Sequence, residues 1–189
     1  MHYSFKRIEL IPEARNTTGM ISGIEVYCSE YMLQDETKII FIDEFRISCS
    51  TLINYGRSLV GTTPRKAVRS IRSKNISVCA AMMKSGIVSF TTREKTYNSC
   101  GFRDFLNEMI TKLHNSGIMN GRVIMDNASI HKNVNHKNLL EENGFELKFL
   151  PAYTPQLNPI EEVFSKWKHY IKTGNPSRSI VMIIETHHF

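Results

Sequence analysis

The sequence predicts an α/β fold in which a mixed central sheet carries helices on both faces. Two observations lead to this prediction. Short apolar runs rich in β-branched residues, typical of buried strands, recur along the chain. Amphipathic helical stripes separate the later strands, so the order is strand, hairpin, helix, strand, helix, strand, helix. With 189 residues, the chain has the length of one domain with a sizeable core.

Five segments are predicted to be strands. The first contains four consecutive apolar residues, Ile39 to Ile42, and so lacks a polar face, as expected of a central strand covered on both sides. The turn Lys84-Ser85-Gly86 separates the second and third segments, which predicts a hairpin. The five segments are 38–43, 76–83, 87–92, 123–125 and 146–150.

The clearest predicted helix is 101–113, because its apolar residues recur at intervals of three and four and form one stripe. These residues are Phe102, Phe105, Leu106, Met109, Ile110 and Leu113. Further helices are predicted at 22–32 and 135–143, and glycines at positions 117 and 144 are stop signals. A last helix begins near Pro159 with its own apolar stripe. That stripe consists of Ile160, Val163, Phe164, Trp167 and Ile171.

The charge balance indicates which class of molecule the chain is expected to bind. The 24 Lys and Arg residues outnumber the 18 Asp and Glu residues, giving a net charge of +6 and a pI near 9.2. Such an excess favours a polyanion such as nucleic acid and argues against an acidic protein partner. A basic soluble enzyme accounts for the charge equally well. The ordinary proportions of hydrophobic and charged residues, 41% and 22%, exclude a disordered or collagen-like chain.

The cysteine pattern and the lack of long apolar runs bear on the compartment. Cys28, Cys49, Cys79 and Cys100 are scattered with no C-x-x-C pair, which argues against a zinc site and fits reduced thiols. No apolar run approaches the roughly 18 residues that span a bilayer. The N-terminal residues are followed by no apolar signal region. We therefore expect a soluble intracellular protein, nuclear if eukaryotic and otherwise cytoplasmic.

Two aspartates each follow an apolar strand. Asp43 ends the first predicted strand and Asp126 ends the fourth. If these strands are parallel neighbours, their carboxyl ends lie side by side, where open α/β sheets place their sites. Two carboxylates there repel each other unless a cation joins them, and Mg²⁺ or Mn²⁺ suits an all-oxygen site. The simpler interpretation of either residue is a turn cap, since Asp is a favoured turn residue.

Glu161 is the candidate third carboxylate, with a strong structural alternative. Asn158 as N-cap, Pro159 at N1 and Glu161 at N3 would form a capping box, and spacing alone favours that interpretation. The two roles are compatible, because a carboxylate at a helix start lies close to the preceding loop. Glu162 lies about 100° further round the helix. Glu44 follows Asp43 on a strand and is expected to face the opposite side.

His131 and a basic stretch are further candidates. His131 follows Asp126 by five residues, and its imidazole could bind a metal or orient a phosphate, although such a residue is more often a partly exposed helix-start residue. The basic stretch is usually a solvated loop, but beside an acidic metal site it would bind phosphates. Its residues are Arg65, Lys66, Arg69, Arg72 and Lys74.

Three ordered motifs resemble those of the Tc/mariner transposase superfamily. Residues 40–44, IFIDE, match its first-aspartate strand. Residues 123–131, VIMDNASIH, resemble the second-aspartate motif, and residues 150–161, LPAYTPQLNPIE, resemble the third-acid motif L-P-x-Y-[ST]-P-x-L-N-P-I-E. The 34 residues between Asp126 and Glu161 match the spacing of the Tc branch. The resemblance covers roughly residues 36–172.

This resemblance implies a ribonuclease H-like fold and a DDE catalytic triad of Asp43, Asp126 and Glu161. It implies two divalent metal ions, Mg²⁺ or Mn²⁺, and metal-dependent DNA cleavage and strand transfer in cut-and-paste transposition. Asn127 and His131 are auxiliary candidates. The implied partners are double-stranded DNA, as transposon ends and target, and a second copy of the chain.

The resemblance also divides the chain into a lead-in or linker at 1–35, a catalytic domain at 36–175 with a basic insert near 50–75, and a tail at 176–189. The lead-in is too short for the paired helix-turn-helix modules of this superfamily, so we expect the chain to lack them. A transposase remnant that only binds DNA or a partner is the main alternative function. A ribonuclease H acting on hybrids is weaker, because it does not explain the proline-rich motif around Glu161.

Overall fold

Five strands form one mixed sheet in the order β3-β2-β1-β4-β5. The computed structural model describes residues 12–33, 35–48, 57–65 and 75–173. The strands are β1 (Ile39–Ser48), β2 (Asn75–Met83), β3 (Gly86–Arg93), β4 (Gly121–Met125) and β5 (Phe145–Phe149). The helices are α1 (Thr18–Met32), α2 (Ser99–Asn115), α3 (Val134–Glu142) and α4 (Ile160–Thr173). The mixed α/β fold class, the β2–β3 hairpin and all four predicted helices are confirmed.

The central strand, β1, pairs antiparallel with β2 and parallel with β4. Its alternating residues enter two separate cores, because successive side chains of a strand point to opposite faces. Ile40 and Ile42 pack on the side of α2, whereas Ile39 and Phe41 pack on the side of α4. Helices therefore cover both faces of the sheet, as predicted.

The helices are placed by apolar stripes. The predicted stripe of α2 is buried from Phe102 to Leu113. On the other face Ile160, Phe164 and Trp167 of α4 are fully buried. The Phe164 ring lies 4.3 Å from the ring of Phe45 on β1, measured between centroids. This packing fixes the first turn of α4 over the middle of β1.

The largest error in the predicted strand boundaries is at the end of β1. β1 continues to Ser48, so Asp43 lies in the middle of the strand and not at its end. The parallel ladder with β4 stops at the pair Phe41 and Ile124, but pairing with β2 continues. The charged Asp43 breaks the apolar run and hides the strand that follows, in which buried Phe45 alternates with exposed Arg46.

The register brings the two aspartates to one level of the sheet. Phe41 of β1 lies opposite Ile124 of β4, and Asp43 and Asp126 each follow two residues later. Beyond β5, the Leu150 backbone amide donates to the Met125 carbonyl at 2.8 Å. This bond draws the following proline-rich loop towards the same edge.

Several predictions fall partly outside the described residues. These include Cys49, the tail at 176–189 and four basic residues, Lys66, Arg69, Arg72 and Lys74; Arg65 is described and is exposed. The three described cysteines are free thiols, as expected. In the described ranges, no helix has the length and apolar character needed to cross a membrane. The division of the chain at residues 35 and 175 stays a prediction.

Candidate active site

Asp43 lies beneath the start of α4, and its side chain is held at both oxygens. The residue is 8% exposed. Its Oδ1 accepts a hydrogen bond from the Glu44 backbone amide at 2.7 Å, and its Oδ2 accepts one from Asn158 Nδ2 at 2.8 Å. The carboxyl group is therefore fixed between the sheet and the loop that precedes α4.

Asn158 does not form the predicted capping box with Glu161. Its Nδ2 donates to Asp43, its backbone amide donates to Pro155, and its Oδ1 is buried without a hydrogen-bond partner among the described residues. Asn158 is thus a residue of the site that its local spacing did not predict, although it belongs to the L-N-P-I-E motif.

Asp126 follows β4 and is half exposed. Its Oδ1 accepts hydrogen bonds from the Ala128 backbone amide at 3.0 Å and from His131 Nδ1 at 2.7 Å. The first bond is the turn cap that the simpler interpretation predicted. The His131 bond, with help from that of Ala128, lowers the pKa of Asp126 despite partial burial of the carboxylate. Asp126 is therefore ionised at neutral pH.

His131 is buried, contrary to the exposed helix-start interpretation. The side chain is 2% exposed, and its Nε2 lies 3.7 Å from Glu44 Oε1. Glu44 is on the α2 side of β1, opposite Asp43, as expected. Burial disfavours the charged imidazole, but the hydrogen bond to Asp126 and the negative charges of Asp126 and Glu44 outweigh it and raise the pKa of His131 to about 9.

The surroundings of Asp43 disfavour the charged form of its carboxyl group. Burial, above all, raises its pKa from 3.8 to about 7, opposed by the hydrogen bond from Glu44. The negative charges of Glu161 and Asp126 raise this pKa further, while His131 lowers it. Glu161 and Asp126 therefore both lie within electrostatic reach of Asp43.

Glu161 lies on the exposed first turn of α4. It lines a cavity of about 720 Å³ between α1, β1 and the proline-rich loop, together with Tyr31, Phe41 and Asn158. Glu162 lines the same cavity. Of these two glutamates, Glu161 is the one whose negative charge raises the pKa of Asp43.

The chemistry of the three acids fits a hard divalent cation. The donors are carboxylate oxygens, which Mg²⁺ and Mn²⁺ prefer. Burial is the largest cause of the raised pKa of Asp43, and the charges of Glu161 and Asp126 add to it; a cation relieves such repulsion. In the described ranges, however, no three His, Cys, Asp or Glu side chains already form a ligand cluster. Joint ligation therefore needs side-chain movement, for which the exposed Glu161 has room.

Asn127 has a structural contact. Its Nδ2 donates to the Leu150 carbonyl at 2.5 Å. This bond joins the segment after β4 to the start of the proline-rich loop, and so ties the neighbourhood of Asp126 to that of Asn158 and Glu161.

Comparisons with known proteins agree with this architecture. The family described as DDE superfamily endonuclease matches residues 38–183. The catalytic domain of Mos1 mariner transposase, a ribonuclease H-like fold, has a TM-score of 0.64 at 16% identity, over 96% of this chain and 90% of that one. No curated protein is significantly similar to this chain in sequence.

Two larger assemblies are also similar. The Mos1 transposase paired-end complex with the left transposon end has a TM-score of 0.70 at 21% identity, over 90% of this chain. The mariner Mos1 paired-end complex with Mg has a TM-score of 0.72 at 20% identity, also over 90%. This chain spans 54% of the transposase chain in each. At these identities the likeness shows the fold.

The opposite pKa shifts of the two aspartates predict opposite effects of amide substitution. In metal-free protein at pH 8, Asp43→Asn should raise the free energy of unfolding by ~2 kcal/mol, because the gain from removing the strained charge exceeds the loss of one hydrogen bond. Asp126→Asn should lower it, because the native site stabilises that charge. Urea unfolding in EDTA measures both.

The sign of the stability change for Asp43→Asn follows from the difference between the folded-state and unfolded-state pKa of this group. The folded-state pKa of Asp43, about 7, lies above its usual 3.8. The free energy of unfolding therefore falls as the pH rises between these two values. Above pH 7 the buried carboxyl group is ionised and its full destabilising effect is present. The gain from Asp43→Asn should therefore shrink towards pH 4. A loss of stability at pH 8 as large as that of Asp126→Asn would contradict this account of the site.

Proposed function

The chain belongs to the DDE superfamily endonuclease family, and on that premise we propose that it cleaves DNA strands and transfers them, as in cut-and-paste transposition. One observation carries the proposal: Asp43 and Asp126 lie at one level of the sheet, and the charge of Glu161 acts on Asp43. This chain spans 54% of the similar transposase chain. The activity of a whole transposase is therefore also a proposal for this chain.

In this proposal Asp43, Asp126 and Glu161 hold two Mg²⁺ or Mn²⁺ ions. When bound, such ions activate the attacking water or 3′-hydroxyl and stabilise the leaving oxygen of an in-line displacement. The protein supplies the fixed oxygens. Asn158 holds the carboxyl group of Asp43, and the turn after β4 holds that of Asp126.

Double-stranded DNA is the proposed substrate. The net charge of +6 favours binding to phosphates, and the basic residues from Arg65 to Lys74 are the proposed contacts. The similar Mos1 complex contains a transposon end, which supports the same class of partner here. A homodimer is part of the same proposal, as is a nuclear location in a eukaryote or a cytoplasmic one otherwise.

A remnant that binds DNA without cleaving it is the second candidate. What favours it is that the described residues contain no ready-made group of three metal ligands. Such a protein would bind DNA in EDTA with a strong dependence on salt, and would cleave it with neither Mg²⁺ nor Mn²⁺.

The cleavage proposal predicts metal-dependent nicking of supercoiled plasmid. The wild-type chain should nick in Mg²⁺ or Mn²⁺ and not in EDTA, and Asp126→Asn should lower the rate at least ~100-fold, because one metal-binding carboxylate is lost. Gel electrophoresis over time measures the rate. Asp104→Asn is the matched control, because this exposed aspartate on α2 pairs with Arg93 at 3.1 Å and lies outside the site. Equal metal-dependent nicking by wild type and Asp126→Asn would contradict the assignment.

Metal binding should also appear as a shift in melting temperature. At a Mg²⁺ or Mn²⁺ concentration ten times Kd, binding adds ~1.4 kcal/mol, which raises Tm by roughly 3–5 °C in a domain of this size. Glu161→Gln should reduce this shift by at least about half, because it removes a negatively charged ligand. Glu162→Gln, the neighbouring control, should leave it unchanged. A shift lost in Glu162→Gln and kept in Glu161→Gln would reassign the third acid.

A further inference from the structure

The Asp126 carboxylate is held on one side only. Within the described part of the chain, both of its hydrogen bonds, from the Ala128 amide and from His131 Nδ1, go to Oδ1. A carboxylate held at one oxygen has a fixed plane, and it presents the other oxygen, Oδ2, in a defined direction. Whatever holds Oδ1 therefore decides where Oδ2 points.

The His131 ring is well placed to hold this carboxylate. It is 2% exposed, and it packs on Phe102 of α2 with 4.7 Å between ring centroids. Its backbone amide donates to the Ala128 carbonyl at 3.0 Å. Side chain and backbone are thus both restrained, and the Nδ1 donor is presented to Asp126 without further loss of conformational freedom.

Glu44 lies at the other nitrogen of the ring. Its Oε1 is 3.7 Å from His131 Nε2, and neither atom has a hydrogen-bond partner among the residues described. A ring flip would exchange Nδ1 and Nε2 for carbon atoms and leave both carboxylates facing C–H groups. Glu44 therefore favours the ring orientation in which Nδ1 faces Asp126.

We propose that His131 is a positioning residue that fixes Asp126 so that Oδ2 is presented to the divalent cation, with Glu44 supporting the ring from the far side. The inference rests on the proposed metal-binding function and names a residue outside the three acids. Residues that orient metal ligands through hydrogen bonds change metal affinity by about 10–100-fold when they are replaced. His131 acts here through Asp126 and is not itself a ligand.

Two substitutions separate hydrogen bonding from packing. His131→Asn keeps a donor, because the Asn Nδ2 occupies a place similar to that of His Nδ1, but it loses most of the ring contact with Phe102. His131→Phe keeps a ring against Phe102 and has no donor. The affinity of the full chain for Mn²⁺, measured from free Mn²⁺ by electron paramagnetic resonance, is the readout.

We expect His131→Phe to weaken Mn²⁺ binding about 10–100-fold and His131→Asn to stay within about threefold of wild type. A packing role predicts the reverse order, and that result would overturn the inference. Should His131→Phe not fold, as judged by its thermal melt, His131→Gln takes its place. Its amide lies one carbon further along the side chain, and affinity equal to that of His131→Asn would overturn the inference.

These measurements distinguish a failure of the cleavage proposal from a failure of the role proposed for His131. If the wild type binds Mn²⁺ but nicks no DNA, the cleavage proposal fails while the order of affinities still decides the role of His131. If the wild type binds no Mn²⁺ at millimolar concentration, both proposals are overturned.

Discussion

The burial of a carboxyl group beside two like charges is the constraint on which the site depends. Asp43 is 8% exposed, and the charges of Glu161 and Asp126 add to the burial that raises its pKa to about 7. A fold keeps such a group only if the surrounding structure holds it there, because strain of this kind reduces stability. Here the holding structure is β1, which pairs with β2 at Asp43, and α4, anchored on that strand by buried aromatic rings.

Each aspartate has its own support. Asp43 is held by Asn158 from the loop before α4, and Asp126 is held by His131 from the turn after β4. The two supports come from opposite sides of the sheet, since His131 packs on α2 and Asn158 precedes α4. The Asn127 bond to the Leu150 carbonyl joins the segment after β4 to the start of the proline-rich loop, which carries Asn158.

Periodicity predicted most of the fold, and the family motifs named three acids, two of which the structure places within electrostatic reach of the third. The stripe of α2 and the hairpin followed from local patterns, because their apolar residues have one period each. The continuation of β1 past Asp43 could not be predicted from a local pattern, because this part of the strand is stabilised by pairing with β2, which is remote in sequence. Asn158 and the burial of His131 were missed for the same reason. Asn158 bonds to a residue 115 positions away, and a capping box explained the local sequence equally well.

The central claim is that Asp43, Asp126 and Glu161 share divalent cations. Anomalous diffraction from crystals soaked in Mn²⁺ measures this most directly. Our account predicts manganese peaks contacted by oxygens of all three acids, with two ions about 3.5–4 Å apart when both positions are filled. Well-ordered crystals with no manganese near these residues, or with manganese bound elsewhere while the three carboxylates stay apart, would contradict it.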